Sequence, residues 1–593
     1  MKTFQKLGRM PIMLTGPALA VLLVVFGIPI ILLFLTSLKA PAFSLTNYQS
    51  FFSQPANVRV LYQTLEISGL ATAICLLVGY PTAYLIVAAS KRLRMALILV
   101  VVIPYLTSLL ARTYAWIVIL GDNGLINNLL LELGLISSPL QLIYNRLALY
   151  IGMVHIMLPM MILALVSVMM GIDKSLMAAA RSMGARPFTA FWRVFFPLSM
   201  PGVRSGCLLV FVICLGFYIT PAALGGLGDA MLSTFIASQV QTFFDMGRVA
   251  ASAFILLAVA IVVLSTFGLD LSGTQRRAAQ PARKSWANRL PVFGGFKRHL
   301  ADEIFTPRRA KRWTTQLYQA GSQSSWSKVV GIIFLVLIVF YLLVPELLVV
   351  IMSFSAGQFL EFPPPGLSLQ WYRAFFGDPS WYGAAWTSLQ IGIVTTILST
   401  ILGTLAAYGL NRSLPRLRST LTMVILTPIT FPVIVVAIAT YLGLLKLGLL
   451  GSMTGIVLAH TIGAIGYVVV IVSATLANFD SALERAAMSM GANPLRTFIR
   501  VTLPLIRPGI IGGAVFAFLA SFDEVVVTSL VAGFSIRTLP LKMWENIRNQ
   551  IDPTIAAVSS LLILIPVVCL IVLYVAGWRS TPSLQRAGTA AAA

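Results

Sequence analysis

Twelve apolar runs, each near or above the roughly 20 residues that a helix needs to cross a hydrocarbon core, constrain this chain more than any single motif. They cover, approximately, 11–37, 62–89, 95–120, 147–170, 203–225 and 249–269, then 329–354, 384–410, 420–446, 454–477, 510–532 and 554–576. With 58% of residues hydrophobic and 10% charged over 593 positions, no soluble core can hide that much apolar surface. Backbone polar groups in lipid must be satisfied within the segment, so helices are the economical way to span. The expectation is an all-α polytopic membrane protein with twelve transmembrane helices in two sets of six. MKTFQKLGR at the start precedes a run too long for a secretory h-region, and reads as leading into an uncleaved first span.

The two sets are related. DKSLMAAARSMGARPFTAFWRVFFPLSMPG at 173–202 recurs as DSALERAAMSMGANPLRTFIRVTLPLIRPG at 480–509, 307 positions on, with sixteen of thirty positions identical. Further upstream, SLTNYQSFF at 44–52 matches SLQWYRAFF at 368–376 at an offset of 324, and Tyr84 and Pro104 find Tyr408 and Pro428 at the same offset. The offset shrinks because the first half carries an extra stretch at roughly 121–146. Six spans per half is an even number, so both halves enter the membrane in the same sense. That makes them parallel repeats about an axis along the membrane normal, with a pathway between them. The chain divides into an N-terminal half at 1–270, a linker at 271–328 and a C-terminal half at 329–593.

A formal charge of +24 raises the question of nucleic acid. With a cytoplasmic N-terminus, however, the loops on the inner face sum to about +26 and the outer face stays near neutral. The charge therefore encodes topology, with both termini cytoplasmic, and no nucleic-acid partner is expected. The region 270–328 holds twelve of the cations, in runs such as Arg276–Arg277, Lys297–Arg298 and RRAKR at 308–312, with Trp286, Phe293, Phe296 and Trp313 between them. It reads as a solvated tether or as a segment lying on anionic lipid. Cys75, Cys207, Cys214 and Cys569 all fall in apolar runs without metal-ligand spacing, so no metal site is expected.

Each thirty-residue loop reads as a compact helix-turn-helix knob. Asp173 and Asp480 are N-caps, and Gly184 and Gly491 are helix stops. Pro187 and Pro494 begin second short helices carrying Phe191 and Arg193, or Phe498 and Arg500. Pro197 and Pro201, matched by Pro504 and Pro508, are expected to turn the chain back into the membrane.

These knobs resemble the coupling-loop motif of bacterial ATP-binding-cassette importer permeases, in which Glu-Ala-Ala is followed by three residues, a Gly and later a Pro. The second copy, ERAAMSMG at 484–491, matches with Arg485 in place of the first Ala. The first copy keeps Ala179, Ala180 and Gly184 but has Met177 where the Glu should be. Met177 lacks the charged contact attributed to that Glu, which implies two inequivalent docking sites. RTYAWI at 112–117 and LGDNGLIN at 120–127 make the first half similar to one permease subunit of polyamine-type (spermidine/putrescine) importers. WY at 371–372, FFGDP at 375–379 and SFDEVVVT at 521–528 make the second half similar to the partner subunit, so two subunits appear fused in one chain.

The resemblance implies the type I importer transmembrane fold in a bacterial cytoplasmic (inner) membrane. It also implies two copies of a cytoplasmic ATPase, bound through Asp173, Ala179, Ala180, Gly184, Arg193 and Pro197 in one loop. In the other loop the residues are Asp480, Glu484, Ala486, Ala487, Gly491, Arg500 and Pro504. Outside, a periplasmic or lipid-anchored solute-binding protein would dock, with loops 121–146, 355–383 and 533–553 the candidate surface. The implied cargo is a polyamine or related cationic amine, with iron(III) and opine or aminophosphonate importers as alternatives. No G-x-x-x-x-G-K-[ST] phosphate loop occurs, so ATP and Mg would be used by the partner subunits, and this chain is not expected to bind a cofactor or act as an enzyme.

Charges inside a bilayer are expensive and mark pathways. Those within the spans are Arg112, Glu346, Asp523 and Glu524, with Glu66 near an end. Three acids facing one Arg in a shared cavity would suit a cation, with Arg112 neutralising one carboxylate. The alternative has Arg112 snorkelling outward and Glu346 in a structural hydrogen bond. At 307 positions before Asp523 and Glu524 stand Gly216 and Phe217, so the path is expected to be asymmetric. Phe217, Tyr218 and Trp116 are candidates for cation–π faces or for plain packing. His155 and His460, on the fourth span of each half, read as structural. A membrane enzyme is disfavoured because no nucleophile or metal cluster is spaced for it. A major-facilitator-type carrier has the same helix count but no evident need for a repeated cytoplasmic knob.

Overall fold

The computed structural model describes residues 13–39, 42–242, 245–267, 325–359, 361–549 and 553–580. The basic linker with its tryptophans lies outside the described residues up to Ser325, where the helix Ser325–Met352 begins. Cys75 and Cys214 are buried and Cys207 half-buried, all unpaired, while the side chain of Cys569 is outside the described set.

Among the described residues, nine helices are long and apolar enough to cross a membrane, and two sharply bent pairs bring the number to eleven. Thr554–Ser580 is a further helix, apolar over Thr554–Val568. The expected straight spans at 95–120 and 420–446 are corrected by this structure. Lys91–Leu106 meets the following helix at 94°, and Pro415–Thr430 meets Val433–Lys446 at 98°. Sequence explains the second break, because Pro432 forces Phe431 into extended backbone (ψ 149°). At the first, Thr107 is likewise extended (ψ 159°) with no proline following it. A second correction concerns 203–225 and 510–532, which stop early at Leu215 and Phe522; after breaks at 216–218 and 523–525 the chain resumes as the short helices Ile219–Leu224 and Val526–Val531.

The knobs also depart from expectation. Their second helices are not separate, because Pro187–Leu215 and Pro494–Phe522 each run from the knob deep into the bundle as one rod of 29 residues. Pro197, Pro201, Pro504 and Pro508 do not turn the chain, and all four lie within the rods. A proline cannot bond the carbonyl four residues back and crowds it, for Pro197 and Pro504 that of Arg193 and Arg500. Both carbonyls lie in wider π turns, Phe191–Phe195 and Phe498–Thr502, which absorb the misfit so that the rod continues. The same device, Leu23–Gly27, precedes Pro29 in Gly16–Ser37.

Short helices Thr46–Ser53 and Gln370–Gly377 introduce the long helices Pro55–Ala88 and Pro379–Asn411, which start several residues before the apolar runs do. Each is tied to the preceding helix end by a tyrosine, Tyr48 to Ser37 at 2.8 Å and Tyr372 to Ser353 at 2.7 Å. The main apolar core draws on both halves, including Leu110, Tyr114 and Ala115 of the first and Ile434, Val435 and Ile438 of the second. It is this shared core that brings the four breaks together.

Candidate functional site: a crossing of broken helices and two matched loops

Each break in a rod meets the break in the bent helix pair of the opposite half. Gly216 lies against Pro432 so closely that a Cβ on Gly216 would stand 3.0 Å from the Pro432 Cα. At the equivalent place, 307 and 324 positions away, Asp523 meets Ser108. The Ser108 hydroxyl donates to Asp523 Oδ1, and the Leu109 N–H donates to Oδ2 at 3.0 Å. Leu109 opens the helix Leu109–Leu120, so Asp523 satisfies an otherwise orphaned donor at that N-terminus and complements its dipole. One crossing is thus polar and the other apolar.

Two more charges surround the polar crossing. The Thr107 hydroxyl donates to Glu346 Oε1 at 2.7 Å, and Arg112 donates through Nη2 to the Thr107 carbonyl at 3.1 Å. Arg112 and Glu346 are only 5% and 6% exposed, so Arg112 does not snorkel. Its hydrogen bonds go to carbonyls rather than to a carboxylate, and Arg112 Nη1 and Glu346 Oε2 have no hydrogen-bond partner. Unpartnered buried polar atoms of opposite charge are costly, which marks this as a place where the resting contacts are not the best available.

The four charges do not gather in one place: Arg112, Glu346 and Asp523 converge on residues 107–109, while Glu524 bonds elsewhere. Glu524 turns back on its own chain, accepting from the Val527 and Thr528 N–H groups at 2.7 and 2.8 Å and from the Thr528 hydroxyl at 2.9 Å. His460 Nε2 lies 3.5 Å from Glu524 Oε2, and its Nδ1 is paired with the Ser521 hydroxyl at 2.8 Å. Glu524 and His460 border a cavity of about 200 Å³ whose other walls are mainly apolar, including Phe431 and Val436. A neighbouring cavity of about 190 Å³ touches Phe217, Tyr218 and Gly216 on one side and Phe431 and Pro432 on the other. Phe217 and Tyr218 therefore do line a space between the halves. Trp116 does not, packing against His155 and Tyr341 with centroids 5.6 Å away in each case. Glu66 pairs with Arg146 at 3.2 Å, and Arg146 also holds Asp229 at 2.9 Å, a half-exposed network away from the crossing.

The thirty-residue loops match in outline. Asp173 and Asp480 each accept an N–H two residues on, from Ser175 and Ala482, at 2.8 Å. Those bonds hold the Asp173 carboxyl below its ordinary range. Gly184 and Gly491 end the helices Lys174–Ser182 and Ala482–Ser489 at φ of +85° and +89°, a conformation that favours glycine. Several outward-facing residues are the same in both copies, while others differ, such as Ala178 with Arg485 and Arg181 with Met488. Met183 and Met490 are 82% and 83% exposed, and Ala179 with Ala486, Arg193 with Arg500 and Pro197 with Pro504 are exposed pairs. Ala180 and Ala487 are buried in both loops, so they seat the helix instead of facing outward.

Glu484, unlike Ala486, does not face outward. It is buried at 5% exposure, ion-paired to Arg412 and bonded by the Thr502 hydroxyl, so its charge is used within the chain. Arg412, Thr502, Thr107 and Ser108 were not among the residues singled out from sequence. The matched Pro104 and Pro428 were the available signal for the last two. Arg412 had none, because its repeat mate is Ala88.

Residues 75–272 and 399–578 match the profile described as "Binding-protein-dependent transport system inner membrane component". The chain belongs to this family. It is a permease subunit of an ABC importer with two such regions in one polypeptide, an inner-membrane partner to a cytoplasmic ATPase and a periplasmic solute-binding protein, and not itself an enzyme. The secondary-carrier alternative is thereby set aside. The chain is homologous to "Spermidine/putrescine transport system permease protein PotB" of Haemophilus influenzae, 38% identical over 209 residues, covering 34% of this chain and 73% of that one. It is also 33% identical over 231 residues to "Putrescine transport system permease protein PotI" of Escherichia coli, covering 38% and 82%. Among solved structures it is similar to a bacterial alginate ABC transporter in complex with its periplasmic protein, with a TM-score of 0.37, 18% identity, and coverage of 42% of this chain and 90% of that one.

Proposed function

We propose that this permease moves a polyamine or related small cationic amine into the cytoplasm, received from a periplasmic or lipid-anchored receptor and driven by two ATPase copies seated on loops 173–202 and 480–509. The reading places the chain as twelve spans in two parallel sets of six, the type I importer arrangement, with both termini cytoplasmic. Halves 1–270 and 329–593 are joined by the linker 271–328.

One observation carries the mechanism. Each loop is continuous with a 29-residue rod, about 40 Å long at the usual helical rise, whose far end abuts the crossing residue, Gly216 or Asp523. ATP-driven approach of the two loops would tilt both rods and part both crossings together, opening the path beside Phe217, Tyr218 and Glu524. The outward residues the two loops share, Ala179 with Ala486, Met183 with Met490 and Arg193 with Arg500, suit two copies of one partner. The relatives named for spermidine and putrescine transport support the cargo, as does the excess of acids over Arg112 around the crossing. Arg112 would release its carbonyl contacts and pair with Glu346 or Asp523 as the halves move.

The test is ATPase activity of the permease in lipid nanodiscs with its ATPase and a solute receptor, with and without putrescine or spermidine. Stimulation by the polyamine-loaded receptor, abolished by Gly491→Asp, is the expected result. Stimulation only by a receptor loaded with iron(III) or an opine would overturn the cargo, and failure of any ATPase to bind would overturn the drive.

A further inference from the structure

The two loops share the exposed residues Leu176, Ala179, Met183 and Gly184 with their mates Leu483, Ala486, Met490 and Gly491, but are fastened from beneath by different chemistry. In the second half, Glu484 is clamped between Arg412, just past the end of Pro379–Asn411, and Thr502 in the rod. Arg412 also lies over the Tyr408 ring at 3.9 Å, and Tyr408 meets Phe498 at 4.6 Å. In the first half the repeat mates of Arg412, Glu484 and Thr502 are Ala88, Met177 and Phe195. There Tyr84 sits between Phe191 and Phe195, at 5.4 and 5.2 Å, and Met177 packs into the same apolar cluster as Phe195 and Val87. The tyrosine and one phenylalanine are kept, and a three-residue ionic clamp stands where the first half has the apolar pair Met177 and Phe195, Ala88 being exposed.

We infer that Glu484 is a positioning residue acting through Arg412 and Thr502. It locks the second loop to the long helix Pro379–Asn411 and does not supply a charge to the ATPase. This rests on the loops being the ATPase seats. The burial argues for it, because a carboxylate with both oxygens engaged inside the chain has little left to offer a partner outside. So does the first loop, where the mate of Glu484 is the uncharged, half-buried Met177, while Leu176, Ala179 and Met183 stay exposed like their mates Leu483, Ala486 and Met490. Met177 then leaves no gap in the first seat; it belongs to a clamp of another kind.

Two readouts test the inference. Hydrogen exchange of the amides in 482–490 is measured on the full-length permease alone in nanodiscs, and receptor-stimulated ATPase activity on the assembled complex. Glu484→Gln and Arg412→Ala should each speed exchange in that segment about tenfold or more, the range for losing a hydrogen bond to a charged group. The same variants should lower stimulated ATPase activity. The triple variant Arg412→Ala, Glu484→Met, Thr502→Phe, which installs the first-half clamp, should restore both. Unchanged exchange in Glu484→Gln alongside lost stimulation would overturn the inference and assign Glu484 to the ATPase, as would wild-type behaviour of Arg412→Ala. If the unaltered permease is not stimulated at all, the seat reading fails, and the exchange experiment still decides the clamp.

Discussion

The two crossings at the centre of the molecule have one backbone plan and opposite chemistry. Where Gly216 meets Pro432, two segments of the chain touch backbone to backbone and nothing but shape holds the contact. Where Asp523 meets Ser108 and Leu109, a carboxylate caps a helix that belongs to the other half. An apolar contact tolerates sliding but no added volume, whereas a capped contact tolerates volume changes but loses free energy as soon as the cap is withdrawn. Inherited symmetry therefore fixed where the halves meet, and divergence set how each contact gives way.

The largest expected effect probes the apolar crossing. Gly216→Val puts branched carbons where even one Cβ is 3.0 Å from the Pro432 Cα and 3.1 Å from the Val433 nitrogen, so backbone must move. Overpacking of this kind costs about 1–3 kcal/mol or more, and thermal unfolding in nanodiscs should fall accordingly, with uptake lost. Wild-type uptake by Gly216→Val would show that the crossing stands open in the working protein. Next is Asp523→Ala, which strips the cap from Leu109 and should cost about 1–2 kcal/mol by the same assay. Asp523→Asn keeps an acceptor and should recover much of that stability. If uptake by Asp523→Asn is lost while stability is kept, the carboxylate serves cargo as well as the cap, and the comparison sharpens.

At the loops the two halves should respond alike. Gly184→Ala and Gly491→Ala each force a side chain into left-handed backbone, at about 1 kcal/mol apiece. A change in exchange on substitution that differs between 174–182 and 482–489 would break the claim that the two helix stops are equivalent. The smallest effect is a pH dependence at the helix starts. Asp173 and Asp378 have carboxyls lowered first by the N–H of the residue two positions on, Ser175 or Ser380. A depressed folded value means the stabilisation is present above the ordinary carboxylate range near pH 4 and fades as pH falls through the lowered value. Protection of the Ser175 and Ser380 amides should therefore weaken only below about pH 4; weakening near neutrality would point to another group.

Much of the architecture is legible in the chain itself. Hydropathy gives the apolar runs, and the offsets of 324 and 307 give the repeat and its insertion. Capping rules locate Asp173, Gly184 and their mates. What hydropathy does not carry is direction, since a window of apolar residues scores the same whether its helix is straight or bent at 94°. The prolines were visible, but whether each breaks a helix depends on local relief. Pro432 breaks one, while π turns let Pro197 and Pro504 ride inside a continuous rod.

Sequence alone determined a two-fold repeated, all-helical membrane permease with two matched loops, because length, apolarity and spacing are local properties that survive without a partner in space. Only the tertiary structure decided that Glu484 looks inward to Arg412, that Glu524 caps its own helix while Asp523 caps one of the other half, and that Trp116 stands off the path. Those outcomes depend on which groups the shared core brings within hydrogen-bonding distance. A buried charge must find its partner wherever packing places one, and its position in the sequence does not say where.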